Sequence, residues 1–109
     1  MEELIDLLRT FRDERDWKQF HNPKDLTIAL SIDANELLEV FLWKSHDDAD
    51  IERVKEELAD VLAYALLIAD AYNLDVEEIV RAKVEKNSEK YPIEKSKGSA
   101  KKYLSLIHI

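Results

Sequence analysis

The sequence predicts an all-α protein whose four helices form a bundle that is completed by homo-oligomerisation. Two observations lead to the fold class. One Gly and two Pro in 109 residues leave long segments without helix-breaking residues. Hydrophobic residues, counted with alanine and the aromatics, make up 46% of the chain. Within the long segments they recur at spacings of three and four residues, as on one face of a helix. A chain of this length is expected to form one domain.

The first two predicted helices follow from this periodicity and from one strong helix-start signal. Residues 2–16 carry an apolar stripe among alternating charges, formed by Leu4, Ile5, Leu7, Leu8 and Phe11. Asn22 followed by Pro23 is typical of an N-cap with proline at the first helical position. We therefore predict a second helix that starts there and reaches about Trp43. It is apolar around most of its circumference.

The third and fourth helices are delimited by polar connections. Residues 45–50 are polar, and we predict a third helix over about residues 50–72, with Asn73 as its C-cap. Asp75 and Glu78 resemble a capping box for a fourth helix that ends near residue 90, where Tyr91-Pro92 stops it. Residues 93–109 are predicted to be a flexible C-terminal tail.

Composition and charge exclude several classes of function. The net charge of −8 argues against general binding to nucleic-acid backbones. The chain has no Cys, so disulfides and thiolate metal sites are excluded. The first residues are acidic, unlike a secretion signal, and no apolar run approaches 18 residues. We therefore expect a soluble cytoplasmic protein that binds neither nucleic acid nor membranes.

Two acidic motifs on consecutive apolar helices are the main candidates for chemistry. Glu36 and Glu39 are three residues apart, and after 17 intervening residues Glu57 and Asp60 repeat that spacing. On a helix, such a pair lies on one face, about 4.5 Å apart along the axis. Acids among apolar residues would repel one another unless they were protonated or shared a cation. From spacing alone, two solvated helix faces remain an equally good interpretation.

The ligand type narrows the choice of metal. A di-iron carboxylate bundle would use Glu-x-x-His motifs, and none of His21, His46 or His108 lies in one. Ligand sets made only of oxygen favour hard cations. We therefore expect Mg²⁺, with Mn²⁺ as a substitute.

Aromatic residues and a histidine flank the acidic helices, namely Trp17, Phe20, His21 and Trp43. Their rings could stack on a nucleobase that His21 hydrogen-bonds. Core packing is the alternative that the residues alone favour. Lys83 and Asn87, four residues apart on the fourth helix, suit contacts with phosphate oxygens, although most lysines are simply solvated.

These motifs together resemble the MazG-like all-α nucleoside triphosphate pyrophosphohydrolases, and most closely their dCTP pyrophosphatase branch. The resemblance covers residues 1–92. It is carried by the segment 15–23, Glu36-x-x-Glu39, Phe41-Leu-Trp43-Lys44, Glu57-x-x-Asp60 and Lys83-x-x-x-Asn87-x-x-x-Tyr91-Pro92. The combination in this order is far more specific than any single motif. It implies a four-helix MazG-like bundle.

The resemblance also implies an activity and a set of site residues. The activity is Mg²⁺-dependent cleavage of a nucleoside triphosphate, dCTP or a modified pyrimidine nucleotide, to the monophosphate and pyrophosphate, which clears unwanted nucleotides. Metal-binding and catalytic roles fall to Glu36, Glu39, Glu57 and Asp60. Family members often have Glu at the position of Asp33, so its role stays open. Substrate-binding roles fall to Trp17, His21, Trp43, Tyr64, Lys83 and Asn87.

Assembly is the last expectation, and it leaves a second class of function open. The second and third helices are apolar over more circumference than a single chain can cover, so we predict a homodimer or a homotetramer. A non-catalytic helical oligomer that binds partners, with the acids as a charged surface, is the alternative to the enzyme. Release of pyrophosphate in the presence of Mg²⁺ distinguishes the two.

Overall fold

The structure is a computed structural model that describes residues 1–98 of the chain. Its main helices are α1 (Glu2–Glu14), α2 (Pro23–Glu39), α3 (Ile51–Ala71) and α4 (Val76–Lys90), followed by the short helix α5 (Ile93–Ser96). Two 3₁₀ turns cover Lys18–Phe20 and His46–Asp48. No strand occurs in residues 1–98, and the prediction of an all-α fold with four main helices is confirmed. The chain forms two compact units, Met1–Asp75 and a second that begins at Val76.

Helix α1 ends in a turn that reverses the chain just before Trp17. Asp16 adopts a left-handed conformation with φ of 55°. The Asp16 amide donates to the carbonyl of Asp13 at 3.1 Å, and the Trp17 amide donates to the carbonyl of Arg12 at 3.0 Å. This pair of bonds is the Schellman arrangement, which satisfies the last carbonyls of a helix. The turn brings Trp17 back toward α1, where it meets Phe11.

Helix α2 begins as the sequence predicts but ends earlier. The side chain of Asn22 accepts a hydrogen bond from the Asp25 amide at 2.9 Å, and Pro23 occupies the first turn. The predicted end at about Trp43 is wrong, because α2 stops at Glu39. The amides of Val40, Phe41 and Leu42 bond three residues back, which tightens the chain into turns. Trp43 then takes a φ of 63°, which no α-helix accommodates.

Helix α3 packs against both α1 and α2 and is the centre of the first unit. The Asp50 side chain caps its start by accepting from the Glu52 amide at 3.0 Å. Its end is a second Schellman turn, with Asn73 at a φ of 55° and the Leu74 amide donating to the Ala69 carbonyl at 2.9 Å. The buried apolar side chains come from all three helices and the turn after α2, namely Ile5, Leu26, Val40, Leu66, Leu67 and Ala69.

An ion-pair cluster also joins α1 to α3. Arg9 donates from Nε to Oδ1 of Asp70 at 2.9 Å and makes a second hydrogen bond to the same oxygen from Nη2. The Asp70 side chain is only 16% exposed. These hydrogen bonds from Arg9 lower the pKa of Asp70, against the opposing effect of burial. The carboxylate of Asp70 is therefore strongly stabilised in the folded state.

Helix α4 ends at Lys90, and the predicted end of the fourth helix near residue 90 is confirmed. The Tyr91 amide donates to the carbonyl of Asn87 at 2.7 Å, and Pro92 follows. The short helix α5 lies at the start of the predicted tail, while residues 99–109 lie outside the described residues. The tail and the domain boundary at residue 92 therefore stay predictions.

Within residues 1–98, none of the helices combines the length and the apolar character that crossing a membrane requires.

Candidate active site

The face that α2 turns toward the interior carries Asp33 and Glu36. Asp33 lies seven residues from both Leu26 and Val40, and therefore within about 20° of them around the helix. These two apolar residues are 2% and 0% exposed. Asp33 and Glu36 are half-buried, whereas Glu39, about 120° around the helix from Asp33, is exposed. The acids that face inward on α2 are thus Asp33 and Glu36, and Glu39 points away from them.

Helix α3 presents its own acids on the side that carries Tyr64. Glu57 is half-buried, and its Oε2 atom is buried without a hydrogen-bond partner among the described residues. Asp60 follows one turn later and is exposed, and Tyr64 follows after another turn and is half-buried. A buried carboxylate oxygen without a partner is unusual in a folded protein. Its presence on Glu57 indicates a site that takes a ligand.

Electrostatic coupling shows that the two acidic helices face each other. Burial raises the pKa of Asp33, and the negative charges of Asp60 and Glu36 raise it further. Burial also raises the pKa of Tyr64, with additional contributions from Asp33 and Asp60. Asp33 on α2 therefore lies near Asp60 and Tyr64 on α3. The raised pKa keeps the Tyr64 hydroxyl protonated, so it can donate a hydrogen bond.

These acids suit a divalent cation in their chemistry. Carboxylate oxygens are the ligands that Mg²⁺ and Mn²⁺ prefer, and a cation would both relieve the repulsion around Asp33 and pair with the free oxygen of Glu57. In the side-chain conformations of residues 1–98, no three acids or histidines lie close enough to hold one ion. The rotatable bonds of Glu36 and Glu57 allow them to converge with Asp33 and Asp60. We conclude that the donor set fits a divalent cation and that binding requires these side chains to reorient.

A cavity lined by aromatic rings adjoins the acids, and we call it the aromatic slot. It has a volume of about 160 Å³, and its lining includes Phe11, Trp17, His21, Asp60 and Tyr64. The rings of Phe11 and Trp17 meet edge to face with centroids 5.8 Å apart, and His21 lies 6.5 Å from Trp17. Asp60 and Tyr64 belong to both the slot and the acidic cluster. The slot and the cluster are thus parts of one continuous site.

His21 is held in its neutral form at one side of the slot. Burial lowers its pKa, and the positive charge of Arg12 lowers it further. Its Nδ1 atom is buried and has no hydrogen-bond partner among residues 1–98. A neutral imidazole offers one donor and one acceptor. His21 therefore lines the slot with one ring nitrogen that has no hydrogen-bond partner among residues 1–98.

The remaining predicted site residues lie apart from this site or in the second unit. Trp43 is 99% exposed and does not line the slot. Lys83 and Asn87 lie four residues apart on α4, where Lys83 is exposed and Asn87 is half-buried. The Oδ1 atom of Asn87 has no hydrogen-bond partner among the described residues. Of the six predicted substrate-binding residues, the structure brings together Trp17, His21 and Tyr64.

Two residues that the sequence did not single out as site residues lie at this site, namely Asp33 and Arg12. Asp33 and Glu36 have the same three-residue spacing as Glu36 and Glu39, and the heptad spacing of Leu26, Asp33 and Val40 is a signal that favours the first pair. Arg12 lines the slot and is only 9% exposed. Nothing in the sequence separates Arg12 from the other charged residues of α1.

Comparisons with known proteins agree with this architecture. A model of the MazG-like family matches residues 28–106. The dCTP pyrophosphatase 1 of Mus musculus is 37% identical over 114 residues, covering 97% of this chain and 67% of the mouse protein. The dCTP pyrophosphatase 1 of Homo sapiens is 35% identical over 116 residues, covering 99% of this chain and 68% of the human protein.

A solved structure supports the same classification. A pyrophosphatase from Archaeoglobus fulgidus is 45% identical and superimposes with a TM-score of 0.77, covering 84% of this chain and 92% of that chain. The fold and these relatives define an enzyme of the pyrophosphatase class, which confirms the predicted class. The chain belongs to the MazG-like family, and the resemblance seen in the sequence is confirmed.

Proposed function

We propose that this protein is a divalent-metal-dependent nucleoside triphosphate pyrophosphohydrolase that acts on dCTP or a related pyrimidine deoxynucleotide. The observation that carries the proposal is the meeting of the acidic cluster and the aromatic slot at Asp60 and Tyr64. A nucleoside triphosphate has a flat base at one end and a polyanion at the other. A site with aromatic rings beside acids that can bind cations complements both ends.

The proposed metal ligands are the half-buried acids Asp33, Glu36 and Glu57, together with Asp60, which lines the slot. Together they would repel a triphosphate, so a cation is needed between them and the substrate. When bound, Mg²⁺ would neutralise charge on both sides and polarise the phosphorus that water attacks. Mn²⁺ has similar ligand preferences and is the expected substitute.

In the proposed reaction, the oxygen of one water molecule forms a bond to phosphorus and the bond between the α- and β-phosphates breaks. The products are the nucleoside monophosphate and pyrophosphate, so all atoms of the triphosphate and the water are accounted for. The protonated Tyr64 can donate a hydrogen bond to a phosphate or sugar oxygen. On the motif resemblance alone, we keep Lys83 and Asn87, four residues apart on α4, as proposed donors to phosphate oxygens.

The slot is the proposed site of the base. Trp17 offers an aromatic face on which a base can stack, and its contact with Phe11 fixes the orientation of its ring. His21 lines the slot, where its imidazole can hydrogen-bond the edge of the base. The sequence relatives are dCTP pyrophosphatases, which supports a preference for cytosine.

We further propose that the protein acts as a homodimer or homotetramer. Large apolar side chains of α2 and α3 are exposed, including Ile32 at 55%, Leu38 at 58% and Leu62 at 54%. Large exposed apolar side chains on both helices favour burial in an interface between subunits. Trp43, at 99% exposure, could then complete a slot in a neighbouring subunit. Light scattering should give a mass of two or four chains, and a monomer at micromolar concentration would contradict this proposal.

The activity is tested by measuring pyrophosphate release from a panel of deoxynucleoside triphosphates. We expect release with Mg²⁺ or Mn²⁺, no release in excess chelator, and the highest rate with a cytosine nucleotide. Glu57→Gln keeps the shape of the side chain and removes its charge, so it should abolish turnover without unfolding the protein. Release by the wild type in the absence of any divalent cation would contradict the metal requirement. Failure to hydrolyse any nucleotide would favour the non-catalytic helical oligomer.

A further inference from the structure

Arg12 is a buried charge placed between two cavities. Arg12 belongs to α1 and is only 9% exposed. Among the residues that the structure describes, no other charged residue is buried to this extent. It lines the aromatic slot and also a larger cavity of about 590 Å³ that includes Lys18 and Asp70. His21 and Leu67 line both cavities as well. Arg12 is therefore part of the wall of the slot, next to His21.

The contacts of Arg12 hold its guanidinium in place through one hydrogen bond to Asp13 and one long ion pair with Asp70. The Nε atom donates to Oδ1 of Asp13 at 2.8 Å. The Nη1 atom lies 3.8 Å from Oδ2 of Asp70, which is too long for a hydrogen bond. Within residues 1–98, no hydrogen bond is made by either terminal nitrogen of Arg12. Asp70 is already engaged by two hydrogen bonds from Arg9.

Among residues 1–98, the terminal nitrogens of Arg12 do not belong to the buried side-chain atoms that lack a hydrogen-bond partner, so they stay accessible to a ligand. A guanidinium presents its terminal N–H groups as a planar fork, which matches two acceptors that lie side by side in one plane. Here the hydrogen bond from Nε of Arg12 to Asp13 fixes the orientation of the guanidinium. The complementary ligand is thus a flat group with two adjacent acceptor atoms.

Cytosine has such an edge, because its N3 and O2 atoms are adjacent acceptors. Thymine carries a hydrogen on N3 and would place a donor against the donors of Arg12. Guanine offers O6 and N7 to arginine in a similar way, and the relatives of this chain, which are dCTP pyrophosphatases, favour cytosine between the two bases. The edge that Arg12 suits is therefore that of cytosine.

We propose that Arg12 is a specificity-determining residue that donates hydrogen bonds from its terminal nitrogens to N3 and O2 of cytosine in the aromatic slot. This inference rests on the proposed function, because it requires the base of a nucleotide substrate to occupy the slot. It assigns the discrimination between cytosine and thymine to α1. Asp13 acts as a positioning residue that holds the guanidinium.

The test compares kcat/KM for dCTP, dTTP and dGTP in the wild type, Arg12→Met and Arg12→Lys. Arg12→Met should lower kcat/KM for dCTP by between about 5-fold and 150-fold, the range for one bidentate contact to a base. The loss should appear mainly as a higher KM, and the value for dTTP should not fall. Arg12→Lys should restore little, because an ammonium cannot bridge both acceptors. Arg81→Met is the matched control, since Arg81 is an exposed arginine paired with Glu77, and it should change nothing.

Other outcomes overturn the proposal. An equal loss with dCTP and dTTP would mean that Arg12 binds phosphate or only supports the fold. A wild type that prefers dGTP to dCTP would contradict the choice of base. Thermal denaturation checks folding of each variant, and if Arg12→Met does not fold, the ratio of dCTP to dTTP in Arg12→Lys decides. A wild type that releases pyrophosphate from no nucleotide would overturn the proposed function itself, and is thereby distinguished from a failure at Arg12 alone.

Discussion

Two substitutions on α2 distinguish the inward-facing acids from the exposed one. Asp33→Asn removes a half-buried charge that is coupled to Asp60 and Glu36, whereas Glu39→Gln removes an exposed charge. Loss of one group that stabilises charge in an active site typically lowers the rate by about 100- to 1,000-fold, or roughly 2.7 to 4 kcal/mol. We expect a loss in this range for Asp33→Asn. For Glu39→Gln we expect less than about 3-fold, because exposed substitutions usually change free energies by about 0.5 kcal/mol or less.

The same pair of variants should differ in stability without metal. The pKa of Asp33 is raised in the folded state, so its charged form is unfavourable there at neutral pH. Replacing it with a neutral amide should raise the melting temperature of the metal-free protein, while Glu39→Gln should leave it unchanged. The assays are pyrophosphate release at saturating Mg²⁺ and thermal denaturation in chelator. Equal losses of activity in both variants, or full activity in Asp33→Asn, would refute the reasoning.

Two further predictions concern the slot and the pair that joins α1 to α3. Trp17→Ala should raise KM for every nucleotide, since stacking contributes about 1 to 3 kcal/mol per base. His21→Ala should mainly reduce the preference among bases. Unchanged kinetics in both variants would contradict the proposal that the base binds in the slot. The pKa of Asp70 is lowered from its ordinary value of 3.8, so its contribution to stability is present above that pH and is lost as the pH falls through its folded-state pKa. Urea denaturation of Asp70→Asn should therefore show a weaker loss of stability on acidification below pH 4 than the wild type, and parallel pH profiles would contradict this.

The helix boundaries were predictable wherever a local signal defines them. The Asn22-Pro23 start of α2 depends on one side chain and one ring, and both act within a few residues. The end of α2 at Glu39 has no such signal, because no Gly or Pro occurs between Val40 and Lys44. The turn there depends on Trp43 in a left-handed conformation that few non-glycine residues adopt. Val40, the residue after Glu39, is 0% exposed, so α2 ends at a buried position and not at a local stop signal.

The residue types of the candidate site were predictable, and the structure favours Asp33 with Glu36 as the inward-facing pair on α2. Spacing identifies acids three residues apart on α2, yet it fits Asp33 with Glu36 as well as Glu36 with Glu39. Which pair faces inward depends on how α2 packs against α3, and that packing involves residues distant in sequence. Arg12 shows the same limit, because its burial arises from the turn after α1 and from α3.

The most direct test of the account is to identify the products of dCTP hydrolysis by the wild-type protein with Mg²⁺. Phosphorus NMR together with chromatography of the nucleotides measures both products in one reaction. The account predicts dCMP and pyrophosphate in equal amounts, with no orthophosphate, and loss of both in Glu57→Gln. Formation of dCDP and orthophosphate, or recovery of intact dCTP, would contradict it.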